Sequence, residues 1–209
     1  MDIIKAIQER RSINFFETNK KIPDDKIKEL LEISNLAPSS FNLQPWKVIV
    51  VRDPERKKVL RKCAMDQAKV EEASAVFIII ADPKGVEENK DKVLDSWQKL
   101  DYMKPEMRET YAGMMQSLYG IEDSLTRKLF ATKNAALFAM NLMLAAKGLG
   151  FEAHAMDGFD ETCIKKKFNI PADKIIPMLI AIGYLRSGVT LLPRAFRRGI
   201  DEFVRFEEY

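Results

Sequence analysis

Hydrophobic positions recur along this chain with two rhythms, and each rhythm predicts a different kind of element. Ile3, Ile4 and Ile7 fall at helical spacing, which predicts a short amphipathic helix over residues 1–11 that ends near Arg11. Pro23, Asp24 and Asp25 open a second helix, because acidic side chains suit the positive end of a helix dipole. Ile27, Leu30, Leu31 and Ser34 make its buried face, and it stops before Pro38. Prolines and small polar residues over positions 37–45 then read as a loop, which feeds a strand at WKVIVV, residues 46–51.

Pro54 starts a charged helix that runs to Cys63, and AVFIIIA at 75–81 is an unbroken apolar run of strand length. Its lack of alternation predicts a strand covered on both faces. Residues 82–120 mix charges, aromatics and Pro105 into a helical insertion of weaker periodicity. Such a segment either lies over a ligand site or stands as an exposed helical hairpin. Residues 123–147 carry the strongest helical pattern, apolar nearly all round from Ala135 to Ala146, with Gly148 placed to cap it; this is the expected central helix. Two further strands are predicted at 151–156 and 176–185, separated by a helix over 160–168, and the chain closes on the strand-like EFVRFEEY. No repeat, low-complexity tract or linker interrupts the pattern, so residues 1–209 read as one α+β domain with an insertion at about 82–120 and a tail at about 189–209.

Composition narrows the function. A chain of 209 residues that is 46% hydrophobic buries a substantial core. Its 34 Lys and Arg against 31 Asp and Glu leave a formal charge of +3, too balanced for a dedicated nucleic-acid or membrane-surface binder. Cys63 and Cys163 stand alone and far apart, and the expectation is two reduced thiols in a cytoplasm. Charge alternates with apolar residues at the amino terminus, which does not match a secretory leader, and Asn141 interrupts the longest apolar stretch; a soluble, untargeted protein is expected. A single histidine argues against an imidazole-based metal site, and no metal is expected.

The common catalytic signatures are missing: there is no GxGxxG after a strand, phosphate loop, GxSxG elbow or HExxH. Gly148-Leu149-Gly150 reads as a helix end, and His154, between two alanines on a strand, as a buried or pocket-lining residue. Two basic clusters remain, Arg10-Arg11-Ser12 and Arg194, Arg197 and Arg198. Each is either a solvated end of the chain or part of a site for a phosphate monoester, whose oxygens match arginine forks and a serine hydroxyl.

Three ordered blocks carry a resemblance: Arg10-Arg11-Ser12 in ERRSINFF, Pro38-Ser39-Ser40-Phe41-Asn42-Leu43-Gln44-Pro45-Trp46 leading into a strand, and Met156-Asp157-Gly158-Phe159-Asp160 after one. Together they resemble the FMN-dependent nitroreductase family across essentially the whole chain. The resemblance implies that family's fold, a central mixed or antiparallel sheet flanked by helices, in an interwoven homodimer with two FMN molecules at the interface. It implies that Arg10, Arg11, Ser12 and Arg197 grip the phosphate. Asn14 stands where the family usually has Arg or Lys toward the pyrimidine end of the flavin. Pro38, Ser39, Ser40 and Asn42 would come from the partner chain. Asp66-Gln67 stands where Asn-Gln is frequent, which favours Gln67, and the Asp157-Gly158 backbone would face flavin N5 and O4.

The implied activity is hydride transfer from NADH or NADPH through flavin N5 to a nitroaromatic, quinone or similar acceptor, by a ping-pong mechanism and with no catalytic side chain of its own. The alternatives are another reductive branch, acting on an enone or a halogenated aromatic, and a flavin-free binding protein that uses the 82–120 segment. Asn14 and Asp66 favour the last; Arg10 and Arg197 oppose it.

Overall fold

The computed structural model describes residues 2–209; Met1 of the predicted first helix lies outside the described residues. Four strands form one antiparallel sheet in the order β1-β2-β4-β3, with β1 at Trp46–Val51, β2 at Ala75–Ala81, β3 at Glu152–Met156 and β4 at Ile175–Gly183. Ile49 stands opposite Ile78 and Ile78 opposite Leu179, so β2 and β4 occupy the middle. Every residue of β2 is buried, as its unbroken apolar run predicts. Phe77 and Ile79 face one core with Leu30, Leu94, Phe130, Ala135 and Leu142. Val76, Ile78 and Ile80 face a second core with Leu60, Val70, Met156 and Ile164. Helices therefore cover both faces of the sheet.

Apart from a short helix over Ala68–Glu72 that the pattern did not mark, the helices form where the pattern places them, and several ends are chemically marked. They are α1 (Ile3–Glu9), α2 (Asp24–Ser34), α3 (Pro54–Cys63), α4 (Ala68–Glu72), α5 (Gly85–Lys99), α6 (Arg108–Tyr119), α7 (Leu125–Gly148) and α8 (Glu161–Phe168). The side chains of Asp53, Ser124 and Asp160 accept from the first-turn N–H groups of α3, α7 and α8. Helix α7 is the central helix, and its alanines at 131, 135, 139 and 146 let it lie close on the sheet. It is long and apolar enough to cross a membrane, yet half of that stretch is buried inside this core. Gly148 is the last helical residue and does not make the turn; Gly150, with φ of 85°, does.

The 82–120 segment contains α5 and α6 and is tied into the main core through Val86, Leu94, Met103 and Met115. Arg127 of α7, fully buried, clamps both of its ends. Its guanidinium donates to the carbonyls of Pro83, Tyr119 and Gly120 and pairs with Glu87 at 2.6 Å.

Two expectations are corrected. The cysteines are not free thiols: Cys63 at the end of α3 and Cys163 in the first turn of α8 form a disulfide, with 5.6 Å between their α-carbons. Sequence separation hid the pair, because only the packing of α3 against α8 beneath the sheet brings the two together. The redox argument for a reducing compartment falls with it. The tail is not a strand either: a short turn at Ile200–Glu202 is followed by irregular chain. A strand needs a neighbour to pair with, and within one chain EFVRFEEY has none.

Denatured but unreduced protein should show no reactive thiol by colorimetric titration, and two after reduction. The cross-link joins residues 100 positions apart, so Cys163→Ser should lower the unfolding free energy by about 2–5 kcal/mol in denaturant melts while preserving the fold.

Candidate functional site

The open edge of β3 organises the site. Residues 12–17 run along it: Ser12 bridges Ala153 in parallel, Ile13 N–H donates to the Ala153 carbonyl, and Phe16 bridges Leu185. Ile13 and Phe16 are buried and anchor this segment in the core, whereas Ser12 and Asn14, on either side of Ile13, are exposed. The alternation of ERRSINFF thus separates anchors from candidate ligands.

The carboxy-terminal segment returns to the same place. Arg11 donates to the carbonyls of Leu192 at 3.0 Å and Pro193 at 3.4 Å, and Arg194 donates to those of Gln8 and Arg10. Arg10 thereby comes near Arg194 and Arg197. Burial, then the charges of Arg194 and Arg197, hold the Arg10 guanidinium below its usual range, against a smaller opposing effect of Glu152. That carboxylate is already committed: one oxygen binds Lys147 at 2.6 Å, and the other is buried with no hydrogen bond. The result is a concentration of positive charge with little to balance it. Arg198 belongs elsewhere, over the Phe203 ring.

A second wall comes from the turn between α3 and α4. Met65 and Asp66 both have positive φ, 50° and 53°, a conformation that costs energy in non-glycine residues and concentrates at functional loops. Asp66 turns to Arg61, at 2.8 Å, and away from the site. Gln67 turns in and donates to the Gly158 carbonyl at 2.8 Å and to that of Ala64. The Asp157-Gly158 turn is held further by Asp160 N–H donating to the Cys63 carbonyl, next to the disulfide. A Cβ on Gly158 would meet the Gln67 amide nitrogen at 3.2 Å and the Met65 sulfur at 3.3 Å, so glycine permits this close approach.

Between these walls lies a trio that the sequence did not reveal as a unit. Lys69 Nζ donates to Asn14 Oδ1 at 2.8 Å and lies 3.1 Å from His154 Nε2, while His154 Nδ1 lies 2.7 Å from the Ile13 carbonyl. Lys69 is the site residue that sequence reasoning left without a role, and Arg194, visible in the tail's basic cluster, is the member of that cluster that binds the amino-terminal segment. The signal for Lys69 was its place two residues after Gln67, at the start of α4.

The remaining candidates are held apart from this group. Ser40 N–H donates to Asn134 of α7, and the Ser39 hydroxyl accepts from Gln44 N–H. Phe41 packs on Trp97 and Tyr119. Asn42 lines a separate cleft of about 610 Å³ with Gln44, Trp46, Asn89 and Phe138. No hydrogen bond joins Pro38, Ser39, Ser40 or Asn42 to the arginines or to Gln67 among the described residues.

The chain is similar to known proteins along most of its length. Bacillus subtilis YodC is 34% identical over 88% of both chains. The protein named NADH dehydrogenase of Thermus thermophilus is 32% identical over 88% of this chain and 87% of its own. The crystal structure of Bacillus subtilis ydfN superposes with a TM-score of 0.90 at 29% identity over 97% of each chain. A structure from Exiguobacterium sibiricum in complex with FMN superposes at 0.87, with 28% identity over 99% of this chain and 98% of that one. The model of the nitroreductase family matches residues 7–184, and the chain belongs to that family.

Proposed function

We propose that this protein is an FMN-dependent oxidoreductase that passes a hydride from NADH or NADPH to a nitroaromatic, quinone or similar electron-poor acceptor. The observation that carries this reading is the convergence of Arg10, Arg194 and Arg197, from opposite ends of the chain, into a group whose positive charges are poorly balanced. Such a group suits a terminal phosphate monoester. The relative named NADH dehydrogenase and the neighbour solved with FMN support the same chemistry.

The residues fit the cofactor. Arg10, Arg197 and Ser12 would hold the phosphate, while Arg11 holds the tail that delivers Arg194 and Arg197. Bound FMN supplies hydride acceptance and donation at N5, so the protein needs no acid–base dyad for that transfer. Gln67 and the disulfide-tethered 157–160 turn fix the backbone N–H groups of Asp157 and Gly158, which would face the reacting end of the ring. Asn14 and Lys69 would face its pyrimidine end, where Lys69 supplies the charge that Asn14 lacks. Asp66 serves Arg61. The two sequence departures that favoured a flavin-free protein thus have structural explanations.

The reading includes a homodimer in which Pro38, Ser39, Ser40 and Asn42 complete the partner's site. Three features support it. The 38–42 loop is separate from the arginine group of its own chain, and among the described residues no strand pairs with the outer edge of β1. Large apolar side chains also stand exposed on α1 (Ile3, Ile4, Ile7), α7 (Leu129, Leu137) and the tail (Phe196, Phe203, Phe206).

Flavin released from denatured protein should chromatograph as FMN; FAD, or no flavin after reconstitution, would refute the reading. Arg10→Ala and Arg197→Ala should each weaken FMN binding roughly 10- to 150-fold, the equivalent of about 1.5–3 kcal/mol for a charged hydrogen bond, as read by fluorescence titration of apo-protein. Removing residues 189–209 should abolish both dimer and flavin in analytical ultracentrifugation; a flavin-loaded monomer of the full chain would count against the shared site. Double-reciprocal plots with a nicotinamide donor and a quinone acceptor should be parallel, the signature of a ping-pong cycle.

A further inference from the structure

Several buried or half-buried cations of the scaffold have a carboxylate or helix-terminal carbonyls against them. Lys174 has Asp82, Arg127 has Glu87, and Lys57 has the carbonyls of Glu71 and Ala73 at the end of α4. Lys69 is different. Its ammonium is held by two neutral groups, the Asn14 amide oxygen and the His154 ring, and no salt bridge reaches it among the described residues. One of its three N–H bonds is left for a ligand.

The hydrogen-bond chemistry determines the state of His154. A carbonyl oxygen only accepts, so the 2.7 Å contact to Ile13 places the ring hydrogen on Nδ1. Nε2 then carries a lone pair, and Lys69 donates to it. Burial, and secondarily the Lys69 charge, push His154 below the ordinary imidazole range despite the bond to Ile13, and burial lowers Lys69. The His154 shift agrees with a neutral ring that accepts from the ammonium.

We propose that His154 is a positioning residue of the flavin site: its neutral ring, locked onto Ile13, holds the Lys69 ammonium beside Asn14 toward the flavin, and protonation at Nε2 dismisses it. A second N–H at Nε2 would remove the acceptor and set a like charge 3.1 Å from the ammonium. The other charged groups around the ring do not offset this. Glu152, two residues away on the same face of β3, is bound to Lys147 and faces Arg10. Asp66 is bound to Arg61, Asp157 lies exposed beyond the strand, and the β4 residue opposite His154 is Ala181. FMN binding should therefore favour the neutral ring, and affinity should fall, by up to about tenfold per unit, as pH drops through the His154 midpoint, which lies below the ordinary imidazole range.

This inference rests on the flavin reading, and two measurements separate them. The first is FMN affinity from pH 5.5 to 8 for wild type, His154→Gln, His154→Leu, Lys69→Met and the double variant His154→Leu/Lys69→Met. Glutamine can donate to Ile13 and accept from Lys69 but does not titrate, so it should bind like wild type above pH 7 and lose the extra acidic decline. The decline from FMN's own phosphate, which ionises near pH 6, is common to all. His154→Leu and Lys69→Met should each bind about tenfold more weakly at pH 7.5, and the double variant no worse than either.

The second measurement uses the flavin-free protein, whose only histidine gives one imidazole signal by NMR. Its titration midpoint should lie below the usual value and rise in Lys69→Met. A wild type that binds FMN with the pH profile of His154→Gln, or a midpoint unmoved by Lys69→Met, overturns the proposal while leaving the flavin reading intact. A wild type that binds no FMN at any pH overturns the flavin reading and its consequence here, even where the NMR coupling persists.

Discussion

A central strand buried on both faces leaves chemistry only at the margins of the sheet, and this constraint organises the molecule. β2 and β4 are covered above and below, so neither can offer side chains to a ligand of any size. The two outer strands have open edges. Along β3 the residues 12–17 dock through the buried Ile13 and Phe16, which turns Ser12 and Asn14 outward and carries Arg10 to the returning tail. Along the outer edge of β1 no strand pairs among the described residues, and unpaired strand backbone of this kind is a template for another strand.

Charge is handled differently in the scaffold and at the site. Burial would raise the carboxyl of Asp82, but Lys174, Lys47 and the Lys84 N–H hold it below the usual carboxylate range, joining strand ends to the start of α5. Arg127 closes the 82–120 segment by the same means. These groups neutralise one another, and their rigidity follows from complete pairing. Around Arg10 and Lys69 the pairing is incomplete, and the proposed phosphate site rests on that uncompensated positive charge. Removing one scaffold partner would strand a buried charge, whereas in the proposed function the excess charge at the margin of β3 is what a ligand would neutralise.

Rigid local supports place the remaining walls. The Met65-Asp66 turn, strained at two successive residues, points Gln67 inward and Asp66 outward, and the Cys63–Cys163 bridge lies directly behind it. Phe41, itself at positive φ, plugs the loop at 38–42 into the aromatic cluster of α5 and α6, so the 82–120 segment and that loop form one structural unit.

Local chemistry was legible from the residues alone. Apolar period marked β1, β2 and α7, and Pro54 and Asp160 marked helix starts, because these signals act within a few positions and need no partner. The Arg10-Arg11-Ser12 block and the Asp157-Gly158 turn were likewise visible as motifs. What only the tertiary structure decided were the meetings of distant residues: Cys63 with Cys163, Arg10 with Arg194 and Arg197, and Lys69 with Asn14 and His154. It also decided that the apolar tail forms no strand within one chain. Such pairings depend on how helices and arms pack over a sheet, a relation between surfaces that leaves no periodic trace along the chain.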